Sequence, residues 1–271
     1  MTPHAIAFIG GGNMARSLIG GLIRTGRAPE SLRVAEPVAA LREALAADFG
    51  VRVREAGPEA ADGAGAGVLA VKPQVMREVC EGLATLAQIH RPLVVSIAAG
   101  IPTAQLDRWL GGGQAVVRAM PNTPALLGAG ATGLFANAAV GGGQREEAET
   151  LMQAAGLTAW IPDEALMDAV TAVSGSGPAY VFLLAEAMQA AGEAQGLAPD
   201  TARTLVLQTL LGAARMLSES GEPAAVLRQR VTSPGGTTQA AIESFEANGF
   251  RDLVSQAIAA ATRRGRELSG G

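Results

Sequence analysis

The sequence predicts a doubly wound α/β sheet followed by an all-α domain. Three observations lead to this prediction: a glycine-rich turn directly after the first apolar strand, a run of short apolar strands that alternate with helical segments, and a second half with helical periodicity alone. With 271 residues, the chain is long enough for two modest domains, each with its own core. We place them at 1–163 and 164–271.

The first strand, Ile6–Ile9, enters a turn that makes room for a bound phosphate. The turn consists of Gly10, Gly11, Gly12, Asn13, Met14 and Ala15. Spaced as G-x-G-x-x-A between a strand and a helix, it has the form of the Rossmann dinucleotide fingerprint. In that fingerprint the first glycine makes a tight turn, the second admits the pyrophosphate, and a small third residue lets helix and strand pack closely. A glycine-rich turn in an α/β domain that binds no ligand is the alternative.

Further strands complete the predicted sheet, with helices between them. They are Leu32–Ala35, Val51–Val53, Gly67–Val71, Leu93–Ile97 and Val116–Arg118. The alternation predicts parallel strands, and such sheets bind ligands beyond the carboxyl ends of the strands. The residues that we assign to a cofactor site at those ends are Glu36, Lys72, Pro73, Ala98, Ala99 and Asn122.

Glu36 is the charged residue at the end of the second strand. A carboxylate there holds the ribose hydroxyls of NADH and repels the 2′-phosphate of NADPH, and a solvated turn carboxylate is an equally good interpretation. Arg33 and Arg42 are close enough in sequence to bind a phosphate instead. The choice between NADH and NADPH therefore stays open. Lys72, at the end of the fourth strand, is assigned to the cofactor site rather than to the solvated surface.

After Ile161 the sequence pattern is helical. The predicted helices are Leu166–Val173, Ala179–Gln195, Ala202–Glu219, Ala224–Val231, Thr238–Asn248 and Leu253–Leu268. The run Leu205–Ala214 is apolar on nearly all sides, and such a helix must be buried on several sides. About a hundred residues alone do not easily bury it, so we predict that a second subunit covers it. The alternative is the central helix of a self-contained bundle.

The segment Val231–Thr238 combines Pro234, Gly235 and Gly236 with hydroxyl side chains, just before an apolar-periodic helix. Proline stops one helix, and the glycines let the backbone approach a ligand. The threonines cap the next helix or direct their hydroxyls at the ligand. A helix start with free N–H groups and no bulky side chains suits a small carboxylate. An ordinary capped turn between two helices is the alternative.

The composition of the chain argues against several classes of function. A net charge of -4 offers no basic surface for nucleic acid or an anionic membrane, and no apolar run is long enough to span a bilayer. The lone Cys80 and the lack of room for a signal peptide before the first strand predict a cytoplasmic protein. Two histidines, one tyrosine and one lysine leave few acid–base candidates, and no metal site is predicted. We therefore expect any chemistry to come from a cofactor, NADPH or NADH.

Together these segments resemble the pyrroline-5-carboxylate reductase family nearly from end to end. The N-terminal matches are Phe8–Ala15, Ala70–Pro73 and Arg118–Pro124, and several families share this half. The C-terminal matches, Asp168–Tyr180 and Val231–Thr238, are far more specific. The resemblance therefore rests mainly on the helical half.

The resemblance implies reduction of the cyclic imine 1-pyrroline-5-carboxylate to L-proline by hydride transfer from NAD(P)H, the last step of proline biosynthesis. It implies a Rossmann domain, here 1–163, which binds the dinucleotide. It also implies a helical domain, here 164–271, which binds substrate and interlocks with its counterpart in a homodimer or a ring of dimers. Gly57 departs from the family, whose members often carry Asn near this position, close to the adenosine. Together with Glu36, this departure points away from a strict preference for NADPH.

The resemblance also implies roles for single residues. Ala70 to Pro73 match the family's cofactor-contacting Ala-Val-Lys-Pro segment, which assigns Ala70 and Val71 to the cofactor site. Ser233, Gly236, Thr237 and Thr238 match the family's substrate loop, with the Gly236 and Thr237 backbone N–H groups on the substrate carboxylate and the Thr238 hydroxyl facing the ring nitrogen. Glu164 matches a glutamate ahead of the Asp-Ala-Val-Thr stretch and is the second predicted catalytic residue beside Thr238. These roles require the nicotinamide ring to lie across from the loop of the same chain or of its partner.

The few acid–base side chains of this sequence suit an imine as the substrate. Its nitrogen is protonated before reduction and the product amine needs no stabilised alkoxide, whereas enzymes that make alcohols usually place Lys, His or Tyr at the carbonyl oxygen. The helical half contains neither lysine nor histidine, which disfavours a β-hydroxyacid dehydrogenase, the nearest rival. A non-catalytic Rossmann sensor would leave the Ser-Pro-Gly-Gly-Thr-Thr loop without a purpose, and a purely structural helical dimer would leave the fingerprint unexplained. Feedback by proline and reduction of related cyclic imines stay open.

Overall fold

The computed structural model describes residues 4–268, which form two compact units. One contains residues 4–176 together with 261–268, and the other contains residues 177–260. The segment 164–176, assigned from the sequence to the helical domain, therefore groups with the sheet. The division at 163/164 stays a prediction about the functional domains, whose outermost residues, 1–3 and 269–271, lie outside the described chain.

The first unit is built on an eight-stranded sheet in the order β3-β2-β1-β4-β5-β6-β7-β8. The strands are β1 Ile6–Ile9, β2 Leu32–Ala35, β3 Arg52–Arg54, β4 Ala66–Leu69, β5 Leu93–Ser96, β6 Val116–Met120, β7 Gly130–Ala136 and β8 Gly156–Trp160. Strands β1 to β6 are parallel, and their order is that of the Rossmann dinucleotide fold. All the strands predicted from the sequence are present, and each bound differs by at most about two residues, as is usual for such predictions.

The sequence analysis does not predict β7 and β8. β7 pairs antiparallel with β6, and β8 pairs parallel with β7, so the sheet continues beyond the parallel strands that the sequence predicts. Glycines make these two strands difficult to predict from the sequence, because glycine has a low propensity for β-strands. Gly156 has φ 142°, and a Cβ there would lie 2.1 Å from the Gly130 carbonyl oxygen. Glycine is therefore required where β8 begins beside β7.

Helices cover both faces of the sheet and form the second unit. The helices before the second unit are α1 Asn13–Arg24, α2 Ala39–Phe49, α3 Gly57–Ala61, α4 Pro73–His90, α5 Thr103–Trp109, α6 Gly142–Gln153 and α7 Met167–Val170. The later helices are α8 Gly177–Ala194, α9 Pro199–Glu219, α10 Ala224–Arg230, α11 Thr237–Ala247 and α12 Phe250–Leu268. The predicted helix Leu166–Val173 is divided into α7 and a π-helix at Thr171–Gly175, and the other predicted C-terminal helices are present.

Alternate residues of β1 pack into two separate cores, one on each face of the sheet. Phe8 belongs to a core with Leu18 and Ile19 of α1, whereas Ala7 and Ile9 belong to a core that includes residues of α4. Successive side chains of a strand point to opposite faces. A strand that is buried on both faces is therefore apolar at every position, as β1 is.

Cys80 lies in α4 and is fully buried in the second of these cores. Burial, with a smaller contribution from the Glu81 carboxylate, raises the pKa of its thiol to about 12. A thiol of this kind stays protonated at neutral pH and packs as a small apolar side chain. The interpretation of Cys80 as a buried apolar residue is confirmed.

Two kinds of feature are absent from residues 4–268. None of the helices in this range has the length and apolar character needed to cross a membrane. Nor does this range contain three or more His, Cys, Asp or Glu side chains grouped so that they could hold a metal ion.

The second unit leaves much apolar surface exposed in the single chain. The consecutive residues Val181–Leu184 of α8 are 39% to 65% exposed, and Leu205 and Leu211 of α9 are 54% and 56% exposed. The run Leu205–Ala214 is thus not the buried centre of a bundle made by one chain. Large exposed apolar surface marks an interaction site, and its cover must come from outside the chain.

Substitution of Gly21 tests the close packing of α1 against Ala154. A Cβ at Gly21 would lie 2.0 Å from the carbonyl oxygen of Ala154, whereas a Cβ at Gly82 in α4 would meet no atom within 4 Å. We expect Gly21→Ala to lower the free energy of unfolding by about 1–3 kcal/mol through overpacking. Gly82→Ala should raise it by about 0.5–1 kcal/mol, since alanine restricts the unfolded chain. Urea unfolding at one protein concentration measures both, and equal effects would contradict the packing described.

Candidate active site

A cavity of about 660 Å³ opens at the carboxyl ends of β1, β2 and β4. Its volume lies in the range of small-molecule sites. The predicted site residues that line it are Gly10, Gly11, Gly12, Glu36, Ala70, Val71 and Lys72. The other predicted cofactor residues lie outside its lining: Asn13, Met14, Pro73, Ala98, Ala99 and Asn122. The lining also contains polar residues that the sequence analysis does not select, among them Glu55, Gln74 and Glu78.

The glycine turn after β1 has the backbone that its predicted role requires. Gly10 has φ 103°, and a Cβ there would lie 2.7 Å from the Ala70 carbonyl oxygen, so only glycine fits. A Cβ at Gly12 would meet nothing within 4 Å, which leaves open space beside the backbone. Gly12 is also the N-cap of α1, and no side chain caps that helix start. Uncapped N–H groups at the start of α1 form an anion site suited to a pyrophosphate.

Glu36 is buried at the end of β2, and both of its carboxylate oxygens accept backbone hydrogen bonds. The Gly11 N–H donates to Oε2 at 3.1 Å, and the Val38 N–H donates to Oε1 at 3.1 Å. The residue is only 8% exposed. Glu36 is therefore not a solvated turn carboxylate, and its orientation toward the glycine turn is fixed.

The two arginines considered for a phosphate donate to main-chain oxygens instead. Arg42 Nη1 donates to the carbonyl oxygens of Glu36 and Pro37, each at 2.7 Å. Arg33 Nη1 donates to the carbonyl oxygen of Asp62. Lys72, by contrast, lines the cavity as the N-cap residue of α4.

The lining of this cavity fits a nicotinamide dinucleotide. Gly12 leaves the space that a pyrophosphate needs, and the start of α1 supplies N–H donors. The fixed Glu36 carboxylate lies where the ribose of an adenosine is held in this fold. The fit rests on the backbone of the glycine turn and on the contacts of Glu36.

Asn122 connects two strands and the π-helix. Its Nδ2 donates to the carbonyl oxygen and to Oγ of Ser174 at 3.2 and 3.3 Å, and its Oδ1 accepts from the Ala131 N–H at 2.9 Å. The Ser174 hydroxyl donates to the Ala131 carbonyl oxygen at 3.3 Å. These contacts describe a structural connector, and the predicted role of Asn122 in cofactor binding stays a prediction.

The remaining predicted cofactor residues lie at ends of elements around the sheet edge. Asn13 and Met14 open α1, and Pro73 opens α4. Ala98 is buried just after β5, whereas Ala99 beside it is exposed. Their cofactor contacts stay predictions.

Glu164 is partly buried and belongs to a cluster of charges around the buried Arg118. Its Oε1 accepts from the Thr103 N–H at 2.7 Å, and its Oε2 accepts from the Thr103 hydroxyl at 2.8 Å. Arg118 Nη1 lies 3.6 Å from Glu164 Oε1, and Arg118 Nη2 lies 3.7 Å from Asp168 Oδ1. The Arg118 side chain is 5% exposed. Glu164 therefore anchors the start of α5 and neutralises a buried guanidinium.

The substrate loop predicted at 233–238 forms a tight turn before α11. Gly235 has φ 70°, and its N–H donates to Oε1 of Gln239 at 2.6 Å. The Gly236 N–H donates to the Ser233 carbonyl oxygen at 3.0 Å, so this amide is already used within the turn. α11 begins at Thr237, and no side chain caps it. The first-turn N–H groups, beginning with that of Thr237, are the donors that this helix start presents.

Sequence reasoning misses Thr103 and Arg118, which hold Glu164 in place. Arg118 is inside a predicted strand, and a buried arginine in a strand signals a nearby carboxylate, because an unpaired buried charge is costly. Nothing in the sequence identifies Glu164 as that carboxylate, since 46 residues separate the two (164 minus 118).

Two family models match the chain. The model described as "Pyrroline-5-carboxylate reductase dimerisation" matches residues 164–268, and the model described as "NADP oxidoreductase coenzyme F420-dependent" matches residues 5–100. Among curated proteins, the pyrroline-5-carboxylate reductase of Pseudomonas aeruginosa is 54% identical over 269 residues. That of Haemophilus influenzae is 45% identical over 269 residues. Each alignment covers 99% of this chain and 98% of the relative.

Solved structures give the same result. A pyrroline-5-carboxylate reductase from Coxiella burnetii matches with a TM-score of 0.96 and 44% identity, covering 99% of both chains. A pyrroline carboxylate reductase from Plasmodium falciparum, with NADP bound, matches with a TM-score of 0.86 and 29% identity, again covering 99% of both chains. The similarity thus extends over the sheet and the helices alike.

The charge cluster around Glu164 makes a prediction about stability. In Glu164→Gln an amide NH₂ replaces one acceptor that faces Thr103, and Arg118 loses one of its two carboxylates. We expect the free energy of unfolding to fall by about 1–3 kcal/mol. Glu146→Gln, an exposed change of the same type on α6, should change it by less than about 0.5 kcal/mol. Chemical denaturation measures both values, and indistinguishable results would mean that the cluster does not stabilise the fold.

Proposed function

The chain belongs to the pyrroline-5-carboxylate reductase family, and from that premise we propose how its own residues perform the reaction. The protein is an NAD(P)H-dependent oxidoreductase that reduces the cyclic imine 1-pyrroline-5-carboxylate to L-proline, the last step of proline biosynthesis. It self-associates through a dimerisation domain. The fold, activity and family predicted from the sequence are confirmed.

The observation that carries the proposal for the cofactor site is the uncapped start of α1 beside the open space at Gly12. In the proposal, the N–H groups there hold the pyrophosphate, and Glu36 accepts from the adenosine ribose. Lys72, at the end of β4 in the same cavity, offsets part of the phosphate charge. When bound, NADH or NADPH supplies the hydride that reduces the imine carbon.

The loop 233–238 is the proposed site for the substrate carboxylate and ring nitrogen. Because the Gly236 N–H is bonded to Ser233, we assign the carboxylate first to the Thr237 N–H at the uncapped start of α11. Gly236 and Ser233 then shape the turn, and Gly236 binds substrate directly only if its amide changes partner. The Thr238 hydroxyl, one residue further into the helix, orients the ring nitrogen.

Reduction of the imine requires little acid–base catalysis from these residues. A protonated imine nitrogen makes the adjacent carbon electrophilic, and the product is an amine, so no alkoxide has to be stabilised. Orientation by a hydroxyl and neutralisation of the carboxylate by fixed N–H groups are sufficient contributions from the protein. The helical half supplies hydroxyls and backbone donors and contains neither lysine nor histidine.

Glu164 is proposed to act on the reaction through position rather than by direct contact with substrate. Both of its oxygens accept from Thr103, and Arg118 lies beside it, so its negative charge is already compensated. A direct role as partner of the substrate nitrogen is the alternative. An unaltered pH profile of kcat/KM in Glu164→Gln supports the positioning role, whereas loss of one limb of that profile supports the direct role.

The assembly and the cellular location are also part of the proposal. The exposed apolar faces of α8 and α9 need cover, and a homodimer supplies it with an identical surface. Dimers of this kind can associate further into a ring. The buried, protonated thiol of Cys80 and the net charge of -4 suit an enzyme of the reducing cytoplasm that binds neither nucleic acid nor membrane.

One assay tests the proposed reaction against its rivals. Purified protein is incubated with NADH or NADPH and 1-pyrroline-5-carboxylate, and nicotinamide absorbance and proline are followed together. We expect steady consumption of the cofactor with one proline formed per nicotinamide oxidised. Cofactor binding without turnover would instead identify a sensor. Oxidation of NADH or NADPH by a β-keto acid in place of the imine would identify a β-hydroxyacid dehydrogenase.

Thr238 gives the sharpest test of the substrate loop. Thr238→Ala removes one hydrogen bond to the ring nitrogen, which corresponds to about 1.5–3 kcal/mol and lowers kcat/KM by about 10- to 100-fold. Thr238→Ser keeps a hydroxyl and should retain most activity. Thr237→Ala keeps the backbone N–H and is the matched control, expected to lose less than about threefold. Steady-state kinetics with fixed saturating cofactor measure all three, and wild-type turnover in Thr238→Ala would refute the assignment.

A further inference from the structure

The turn between β2 and α2 is Glu36-Pro37-Val38, and its backbone donors are used up. Pro37 has no N–H, and the Val38 N–H donates to Glu36 Oε1 at 3.1 Å. The Gly11 N–H on the neighbouring turn donates to Glu36 Oε2. A phosphate at this corner would therefore have to displace Glu36 to reach either of these amides.

The side-chain charges at this corner are unfavourable for a phosphate as well. Glu55, just after β3, lines the same cavity as Glu36 and adds a second carboxylate. The guanidinium of Arg42 donates to the carbonyl oxygens of Glu36 and Pro37 and lies 3.4 Å from a Glu55 oxygen. Arg42 is therefore already engaged by acceptors of the turn itself.

Lys72 is the cation in the cavity lining, but it belongs to a different part of the sheet edge. It follows β4, and β4 and β2 lie on opposite sides of β1. Two strand spacings separate them, about 10 Å. Lys72 is thus placed nearer the pyrophosphate end of the site than the corner formed by Glu36.

We propose that Glu36 is the residue that selects NADH over NADPH in this protein, which rests on the proposed function of the cavity as the dinucleotide site. The carboxylate keeps lone pairs free after accepting two N–H donors. It accepts from the ribose 2′-hydroxyl of NADH and repels the 2′-phosphate of NADPH, which carries up to two negative charges. The NADP in the P. falciparum structure belongs to that relative, and the proposal concerns the Glu36-Pro37-Val38 turn of this chain.

Equilibrium binding to the full-length oligomer tests the proposal without turnover. Isothermal titration calorimetry with NAD⁺ and NADP⁺, without imine and at one salt concentration, gives the two dissociation constants. We expect wild-type protein to bind NAD⁺ about tenfold more tightly than NADP⁺, a difference of about 1.4 kcal/mol. The kcat/KM values for NADH and NADPH should show the same order.

Two variants with the same change in charge distinguish the effect of Glu36 from that of the overall negative charge of the cavity. Glu36→Gln removes the charge at the ribose corner, and Glu78→Gln removes one from α4 in the same cavity. We expect Glu36→Gln to reduce the affinity ratio by about tenfold and Glu78→Gln to change it by less than about threefold. Thermal melting confirms that both variants are folded. The ratio of NAD⁺ to NADP⁺ affinity in the wild-type protein tests the proposal without any variant.

The outcomes separate this inference from the proposed function. A wild-type preference for NAD⁺ of at least about threefold, reduced at least threefold by Glu36→Gln and not by Glu78→Gln, supports the assignment. A smaller or reversed wild-type preference overturns the assignment of Glu36. The assignment is also overturned if Glu36→Gln leaves the NAD⁺ to NADP⁺ affinity ratio unchanged, or if both variants change that ratio equally. If NADPH proves the better cofactor while proline is still formed, the selection by Glu36 is wrong and the reductase activity stands.

Discussion

The hydrogen bond from the Gly11 N–H to the Glu36 carboxylate joins the glycine turn after β1 to the end of β2, and the geometry of the proposed cofactor site depends on it. The contact exists because parallel neighbours end at the same edge of the sheet. The close approach also favours glycine: a Cβ at Gly11 would lie 2.5 Å from Leu45 Cδ1 and 3.3 Å from Glu36 Oε2, so a larger residue would have to displace the Leu45 side chain. The same carboxylate thus stabilises the turn that we propose to hold the pyrophosphate, and in that proposal it also sets the charge at the ribose.

A second electrostatic constraint fixes the segment that follows the sheet. Arg118 on β6 is buried and lies within ion-pair distance of both Glu164 and Asp168. A buried guanidinium without a partner is costly, so the chain must bring carboxylates to it. This requirement explains why residues 164–176 group with the sheet although the family match to the dimerisation region begins at 164. The sequence boundary and the compact units differ because the cluster holds this segment on the first unit.

The parts of the fold that follow from local pattern are predictable from the sequence. β1 to β6 are short apolar runs between helical segments, and the glycine turn and Glu36 follow from the positions at which those strands end. β7 and β8 are not predictable in this way, because their glycines serve close backbone contact, as at Gly156, rather than strand propensity. The partners of Glu164 are equally hidden, since Thr103 and Arg118 are brought to it only by tertiary structure. A site residue can thus be named from a motif while the contacts that define its role cannot.

The helical unit shows why this chain requires a second copy of itself. Val181–Leu184 are consecutive residues of α8, and consecutive helical residues point about 100° apart, so apolar side chains are exposed on every side of the helix. No rotation of α8 within one chain removes all of them from water, and full burial requires surfaces that surround it. A symmetric partner supplies the same apolar faces in return. Because a partner provides this burial, the stability of the helical unit is coupled to protein concentration.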